Sequence, residues 1–292
     1  MITAGAIDTS RYFLPAPLTP LFHTPGYSSL TDTQRRRYNQ LHGIYVNEQI
    51  LFFEVALANN VLSALLRLAP PSDLASALRR FRADEAAHAA MFRELNWRCA
   101  PTIYETTDFH FVRAAGGAWR LLSAVSRRPA TFPLFVWLML MLEERALYYA
   151  RETLRQRGSL APHAVATHAR HLCDEVNHVR WDQAVLDWLW PRTSQPLRRL
   201  NATLFRWMVG EFFNAPKRAA LRVLDALVAE FPELEPRRGR MAAELRALGA
   251  QPAYHRFLYA RDIVPRTFDR FDRWEEFASV GRVLLAYRPG AS

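Results

Sequence analysis

Asp84-Glu85-Ala86-Ala87-His88 and Asp174-Glu175-Val176-Asn177-His178 carry one pattern twice, Asp-Glu-x-x-His. On an α-helix, residues three apart share a face, so the Glu and His of each copy can address one metal ion. A single Glu-x-x-His carries little weight. Sixteen glutamates and nine histidines among 292 residues produce about 0.5 such matches by chance. Two copies, each preceded by Asp and each inside a long stretch of helical periodicity, go well past that.

The segments around the two motifs read as helices. Thr31-Asp32-Thr33-Gln34 forms a capping box that opens a helix running to about Leu68, where Ala69-Pro70-Pro71 stops it. Ser72-Asp73 is expected to cap the next, which carries the first motif and reaches about Trp97. Residues 100–128, with Gly116-Gly117 in the middle, read as a crossover and a short helix. Thr131-Phe132-Pro133 opens a third long helix lasting to Gly158, and a fourth, with the second motif, spans from near Pro162 to Trp190-Pro191. Apolar residues then recur at helical spacing around Leu200–Phe213, Ala219–Phe231, Met241–Leu248 and Tyr254–Val264. Strand signals are nearly absent. The expected class is all-α: an irregular proline-rich arm over 1–30, a four-helix core over 31–190, and a helical extension over 191–292 packed on it.

Each of the two remaining core helices supplies a carboxylate inside an apolar stretch, where an unpaired charge is costly. Glu54 lies in Ile50-Leu51-Phe52-Phe53-Glu54-Val55-Ala56-Leu57, and Glu144 in Met141-Leu142-Glu143-Glu144-Arg145. Glu54 to Glu85 is 31 residues, and so is Glu144 to Glu175. Each half is therefore a helical hairpin with Glu on one helix and Glu-x-x-His on the other, the ferritin-like di-metal arrangement. Glu48 competes with Glu54, and Glu143 with Glu144; the matched spacing selects Glu54 and Glu144. Carboxylates mixed with imidazole, and no cysteine ligand, favour two iron ions (or manganese) over structural zinc. Asp84 and Asp174 are each placed to accept the second ring N–H of a ligand histidine on the facing helix. Cys173 reads as a small buried residue and not as a ligand.

Composition narrows the function classes. The net charge of +10 is almost wholly arginine, since Lys217 is the one lysine, and the arginines are scattered over many segments. No nucleic-acid-binding motif accompanies them, so nucleic acid is not an expected partner, whereas an acidic carrier or redox protein fits the charge. The most hydrophobic stretch, Phe132–Leu142, runs into Glu143-Glu144-Arg145 and, at about a dozen residues, falls short of a membrane span. No secretory signal opens the chain and two cysteines make no disulfide framework, so the expectation is cytoplasmic.

His171 stands one turn above Glu175 on the same face. With His171-Leu172-Cys173-Asp174-Glu175-Val176-Asn177-His178 and the 27-residue step from Glu144 to His171, residues 30–190 resemble the p-aminobenzoate N-oxygenase family of AurF-like non-haem diiron oxygenases. The resemblance implies a seven-ligand set of Glu54, Glu85, His88, Glu144, His171, Glu175 and His178. It further implies two irons that bind dioxygen as a peroxo-diferric species, draw on an external electron donor, and oxygenate an amine, an arylamine above all, to hydroxylamine and then to nitroso or nitro product. Other diiron outcomes stay open: C-hydroxylation, desaturation or oxidative C–C cleavage of a small or carrier-bound acyl substrate, or a ferroxidase or radical-generating subunit. By helical spacing, Asn47, Ile50, Leu57, Trp137, Leu140, Met141, Leu147 and Tyr148 are the candidate pocket lining. A homodimer is compatible with all of these readings.

Overall fold

The computed structural model describes residues 7–113, 116–213 and 218–288. Among these, every extended element is a helix, and the sole β feature is an isolated bridge between Tyr12 and Leu160. Four long helices make the core: α1 (Asp32–Arg67), α2 (Ser72–Cys99), then, after a short α3 (Gly116–Ser126), α4 (Leu134–Arg155) and α5 (Pro162–Leu189). The tight seams run α1–α2, α2–α5 and α5–α4, so the two motif-bearing helices lie side by side in the middle. The architecture is all-α and ferritin-like.

The helix ends follow from local chemistry. At the start of α1, Thr31 Oγ1 accepts from the Gln34 N–H at 3.3 Å while Gln34 Oε1 accepts from the Thr31 N–H at 2.9 Å, a reciprocal capping box. α2 begins differently from expectation: Pro71 occupies the cap position with no side-chain hydrogen bond, and Ser72 and Asp73 are already helical. Proline fixes the entry angle there, and residues 71–73 are exposed, so water is available to the N–H groups of the first turn. Within α1, Glu54–Ala58 forms a single π-helical turn, which shifts the phase of the side chains before it relative to those after it.

α1 is long and apolar enough to cross a membrane by length and composition alone, yet half of its most apolar stretch is buried inside the protein. Its apolar residues, among them Leu57, Val61, Leu62 and Leu65, are packed in the central core.

Residues 7–30 wrap the bundle in short helical turns, burying Phe13, Leu14, Leu18, Leu21 and Leu30. Asn39 pins this arm to α1, accepting from the N–H groups of Phe13 and Leu14 at 2.8 and 3.1 Å and donating to the Leu14 carbonyl at 2.8 Å. The contact is close because residue 43 is glycine; a Cβ there would sit 2.9 Å from Phe13 Cβ.

Beyond the core come α6 (Gln195–Met208), α7 (Arg218–Glu230), α8 (Glu235–Ala247), α9 (Pro252–Leu258) and α10 (Pro265–Arg273). α7 lies against α1, while α6 and α10 lie against α4. Trp137 on α4 is wholly buried among Trp190, Phe271 and Phe277, at ring-centroid distances of 5.2, 5.6 and 4.4 Å. Trp137 is thus part of the packing between core and C-terminal helices. Leu140 and Met141, also fully buried, belong to the same hydrophobic core, as do Leu57 and Leu147.

Candidate metal centre

Glu48 and Glu54 have separate tasks. The Glu48 carboxylate is fully buried and gathers the loop after α2. It accepts from the Tyr104 hydroxyl and from the N–H groups of His110 (2.9 Å), Phe111 (2.9 Å) and Val112 (2.7 Å). Burial raises its pKa, and the Tyr104 and backbone bonds oppose that rise. With its oxygens so occupied, Glu48 is a loop anchor. Glu48→Ala strands several buried donors, and its expected cost is about 3 kcal/mol or more, with early proteolysis within 105–113; calorimetry and limited digestion check it.

Glu54, two turns further along α1, points into the bundle with both oxygens buried and without a hydrogen-bond partner. There it meets the motif residues of α2 and α5. His88 Nδ1 lies 3.9 Å from Glu54, 3.7 Å from Glu85 and 3.5 Å from Glu175. His178 Nδ1 lies 3.4 Å from Glu85 and 3.3 Å from Glu175. His171 Nε2 is 2.8 Å from Glu175 and 3.5 Å from Glu54. Two donor groups result, Glu85–His88–Glu175–His178 and Glu54–His88–His171, each with ligand atoms within 4.8 Å of one another and all buried. His171 belongs to the cluster, and its place there bridges Glu54 and Glu175.

The outward nitrogens of two ligand rings reach the aspartates of the facing helix. His88 Nε2 meets Asp174 Oδ2 at 3.1 Å, and His178 Nε2 stands 3.5 Å from Asp84 Oδ2. The crossed pairing turns the Nδ1 atoms inward, where both lack hydrogen-bond partners. Phe81 stacks on His178 at 4.0 Å, and Phe92 meets His171 edge-on at 5.0 Å, so the rings are clamped on their outer sides.

α4 departs from the spacing argument. Glu144 turns away from the cluster and accepts from the N–H groups of Arg266 and Thr267 and from the Thr267 hydroxyl, each at 2.8 Å. It therefore binds the positive end of α10. Burial raises its pKa to about 7 against the pull of those bonds. Glu143 takes the inward position: it is buried, and its pKa is driven well above the ordinary value by burial and then by the charges of Glu175, Glu85 and Asp182. The reason is rotational. Trp137 and Glu144 are seven residues apart, two turns on one stripe, and that stripe faces the C-terminal helices. A step back of one residue, about 100°, brings Glu143 round to α5. Arg145, one step forward, donates to the hydroxyls of Tyr259 (3.0 Å) and Tyr149 (3.1 Å).

One further residue was not anticipated from the chain alone, and one lies elsewhere than expected. Asp182 is fully buried with both oxygens unpartnered, and burial followed by Glu85 and Glu175 raises its pKa strongly. It lies four residues after His178 and seven after Glu175, on the ligand stripe of α5, and that spacing was the available signal. Cys173, expected to be buried, is exposed, because it sits two residues from both His171 and Glu175 and so on the opposite face. Among the candidate lining residues, Asn47 bonds Asn96 at 2.9 Å, while Ile50 and Tyr148 are half-buried at the core's margin.

Glu54, Glu85, Glu143, Glu175 and Asp182 thus crowd five carboxyl groups around three imidazoles in a closed interior. Burial raises the Glu54 pKa to about 8. Burial also opposes charging His171, yet Glu175 and Glu54 lift it to about 10. Glu175 is held well below its ordinary value, burial being outweighed by His171 and its other partners. So many orphaned oxygens and nitrogens with no bound cation would be strongly unfavourable; metal ions would satisfy both the charge and the free lone pairs. The donor set, carboxylate and imidazole without thiolate, suits two iron or manganese ions.

A family model described as P-aminobenzoate N-oxygenase AurF matches residues 4–255. The match runs past the four-helix core, through the arm and as far as α9. No curated protein matches the chain.

Proposed function

Because this chain belongs to the p-aminobenzoate N-oxygenase (AurF) family, we propose that it is a diiron N-oxygenase that transfers oxygen from dioxygen to the nitrogen of an amine, an arylamine above all. The observation that carries this reading is the buried cluster in which His171 joins the two Glu-x-x-His pairs between Glu54 and Glu175. In the net reaction the amine nitrogen gains one oxygen atom. The other leaves as water, with two protons and two electrons from an external donor.

Glu54, Glu85, Glu143, Glu175, His88, His171 and His178 would hold the irons, whose chemistry when bound is the activation of dioxygen. The chain's own contributions are positional. Asp174 holds the His88 ring so that Nδ1 faces inward, and Asp84 stands at the outer nitrogen of His178. Phe81 and Phe92 pack against ligand rings and keep bulk water from them. As a neutral donor, His171 would serve as a ligand that adds no negative charge to a centre already rich in carboxylates. The arginine-rich surface, at net charge +10, supports docking of an acidic electron-transfer protein.

The test is reconstitution with Fe(II), followed by reductant, 18O-labelled dioxygen and p-aminobenzoate or an amine panel. The expected product carries labelled oxygen on nitrogen by mass spectrometry; label on carbon, or none in any product, overturns the proposal. His171→Ala is expected to weaken iron binding at least about tenfold and to abolish the N-oxygenated product. An unaltered iron content and product profile in that variant would remove His171 from its role.

A further inference from the structure

Directly above the cluster, the seam between α1, α2 and α5 holds a small cavity bordered by Phe13, Asn47, Leu95, Cys99, Ala164 and His168. On all three helices its wall stands seven residues from a ligand: Asn47 before Glu54, Leu95 after His88, Ala164 before His171. Seven residues are two helical turns, about 10 Å. The cavity and the cluster are therefore successive compartments of one interior seam. One layer of side chains lies between them, formed by the fully buried Leu51 and Phe92 with His168. Phe92 touches both sides, edge-on to His168 at 6.0 Å and to His171 at 5.0 Å.

The walls are mostly carbon, and their polar groups are in part committed elsewhere: Asn47 donates to Asn96, and His163 pairs with Arg98. A space of this kind holds an apolar gas better than water, which needs several polar partners. It is too small for an aromatic ring. At its outer end are the half-buried Ile7 and Cys99, under the N-terminal arm.

We propose that this cavity is the port by which dioxygen enters the bundle, with Phe92 as the partition between the port and the carboxylate–histidine cluster. The port rests on the reading of the cluster as an oxygen-activating centre, and it assigns dioxygen an entrance that an arylamine cannot use.

Crystals of the protein pressurised with xenon test the binding site. A xenon peak between Asn47, Leu95 and Ala164 is expected; ordered water there, or no peak, overturns the proposal. Ala164→Phe and Cys99→Phe plug the space from two different walls, so the test survives if one of them fails to fold. In anaerobically Fe(II)-loaded protein mixed with oxygenated buffer, each folded plug should lower the second-order rate of iron oxidation by about tenfold or more, because a close-packed interior admits gas slowly, with iron content unchanged. Wild-type rates in plugged variants overturn the port. No amine is present in either measurement. Iron oxidation through the port here, together with amines left untouched in the separate labelled-dioxygen assay, would refute the N-oxygenase reading and leave the port standing.

Discussion

Glu143→Ala is expected to remove at least half of the bound iron, whereas Glu144→Ala keeps the full iron content and instead costs about 2–4 kcal/mol of stability. The two residues are neighbours on α4 with opposite tasks. Glu143 is buried beside Glu175, Glu85 and Asp182, and burial followed by those charges raises its pKa well above the ordinary value; a cation would offset the crowded negative charge and take up the oxygens. Glu144 directs both carboxylate oxygens at the first turn of α10 through three hydrogen bonds of 2.8 Å. Its loss leaves buried N–H groups unsatisfied and frees the end of a helix whose Phe268 and Phe271 are packed in the core. Metal analysis of the purified variants and calorimetry separate the effects. Iron loss in the Glu144 variant with none in the Glu143 variant would reverse the assignment.

Metal-free protein should lose stability as pH rises from about 5.5 to 8.5, by on the order of 2–4 kcal/mol. Glu54 has an ordinary value of 4.5 and a folded value of about 8, raised first by burial. Between those values the native state holds a proton that the unfolded chain has released, so raising the pH favours unfolding. His171 acts in the same direction. Lifted from 6.5 to about 10 by Glu175 and Glu54 against the opposing effect of burial, it contributes fully below 6.5 and loses that contribution as pH climbs through 10. Glu175, depressed, works the other way, but its gain is complete once pH exceeds the unfolded value of 4.5. It offers no offset in this window. Bound Mn(II) or anaerobic Fe(II) takes the place of the protons, and affinity rises as protons leave. The melting temperature of loaded protein should therefore stay level or climb over the same range. Thermal melts of both forms across the pH series decide it; a metal-free protein that gains stability with pH would contradict the charge arrangement described for the cluster.

Much of the centre was legible in the chain because its geometry is local. Glu85 with His88, and Glu175 with His178, lie on one face by virtue of the helical repeat alone, and His171 follows one turn away. The capping box at Thr31 and the prolines at 70 and 71 bound α1 by chemistry confined to a few residues. Asp84 and Asp174 could be placed opposite the facing helix's histidines because each precedes its Glu by one residue and so points outward from the seam.

What the chain could not settle by itself were choices between neighbours: its spacing selects Glu54 over Glu48 in line with the structure, and Glu144 over Glu143 against it. A 31-residue spacing favoured Glu144, but spacing is set along the chain, while the inward residue is set by how far a helix is rolled about its own axis. Trp137, Trp190, Phe271 and Phe277 set the roll of α4, and three of those four residues lie outside that helix. Similarly, Glu48 and Glu54 sit on one helix in comparable surroundings, and what separates them is a loop at 110–112 whose N–H groups are satisfied by Glu48. Asp182 stayed hidden since a carboxylate at the right helical phase looks like a solvated one until its neighbours are known.

Periodicity and capping, which act over a turn or two, were enough to determine four helices and the residues that each could offer to a metal. The tertiary structure alone decided which offers were taken up, because rolling a helix by 100° exchanges one glutamate for the next at no cost to the helix itself. That choice is made by aromatic packing from the far end of the chain.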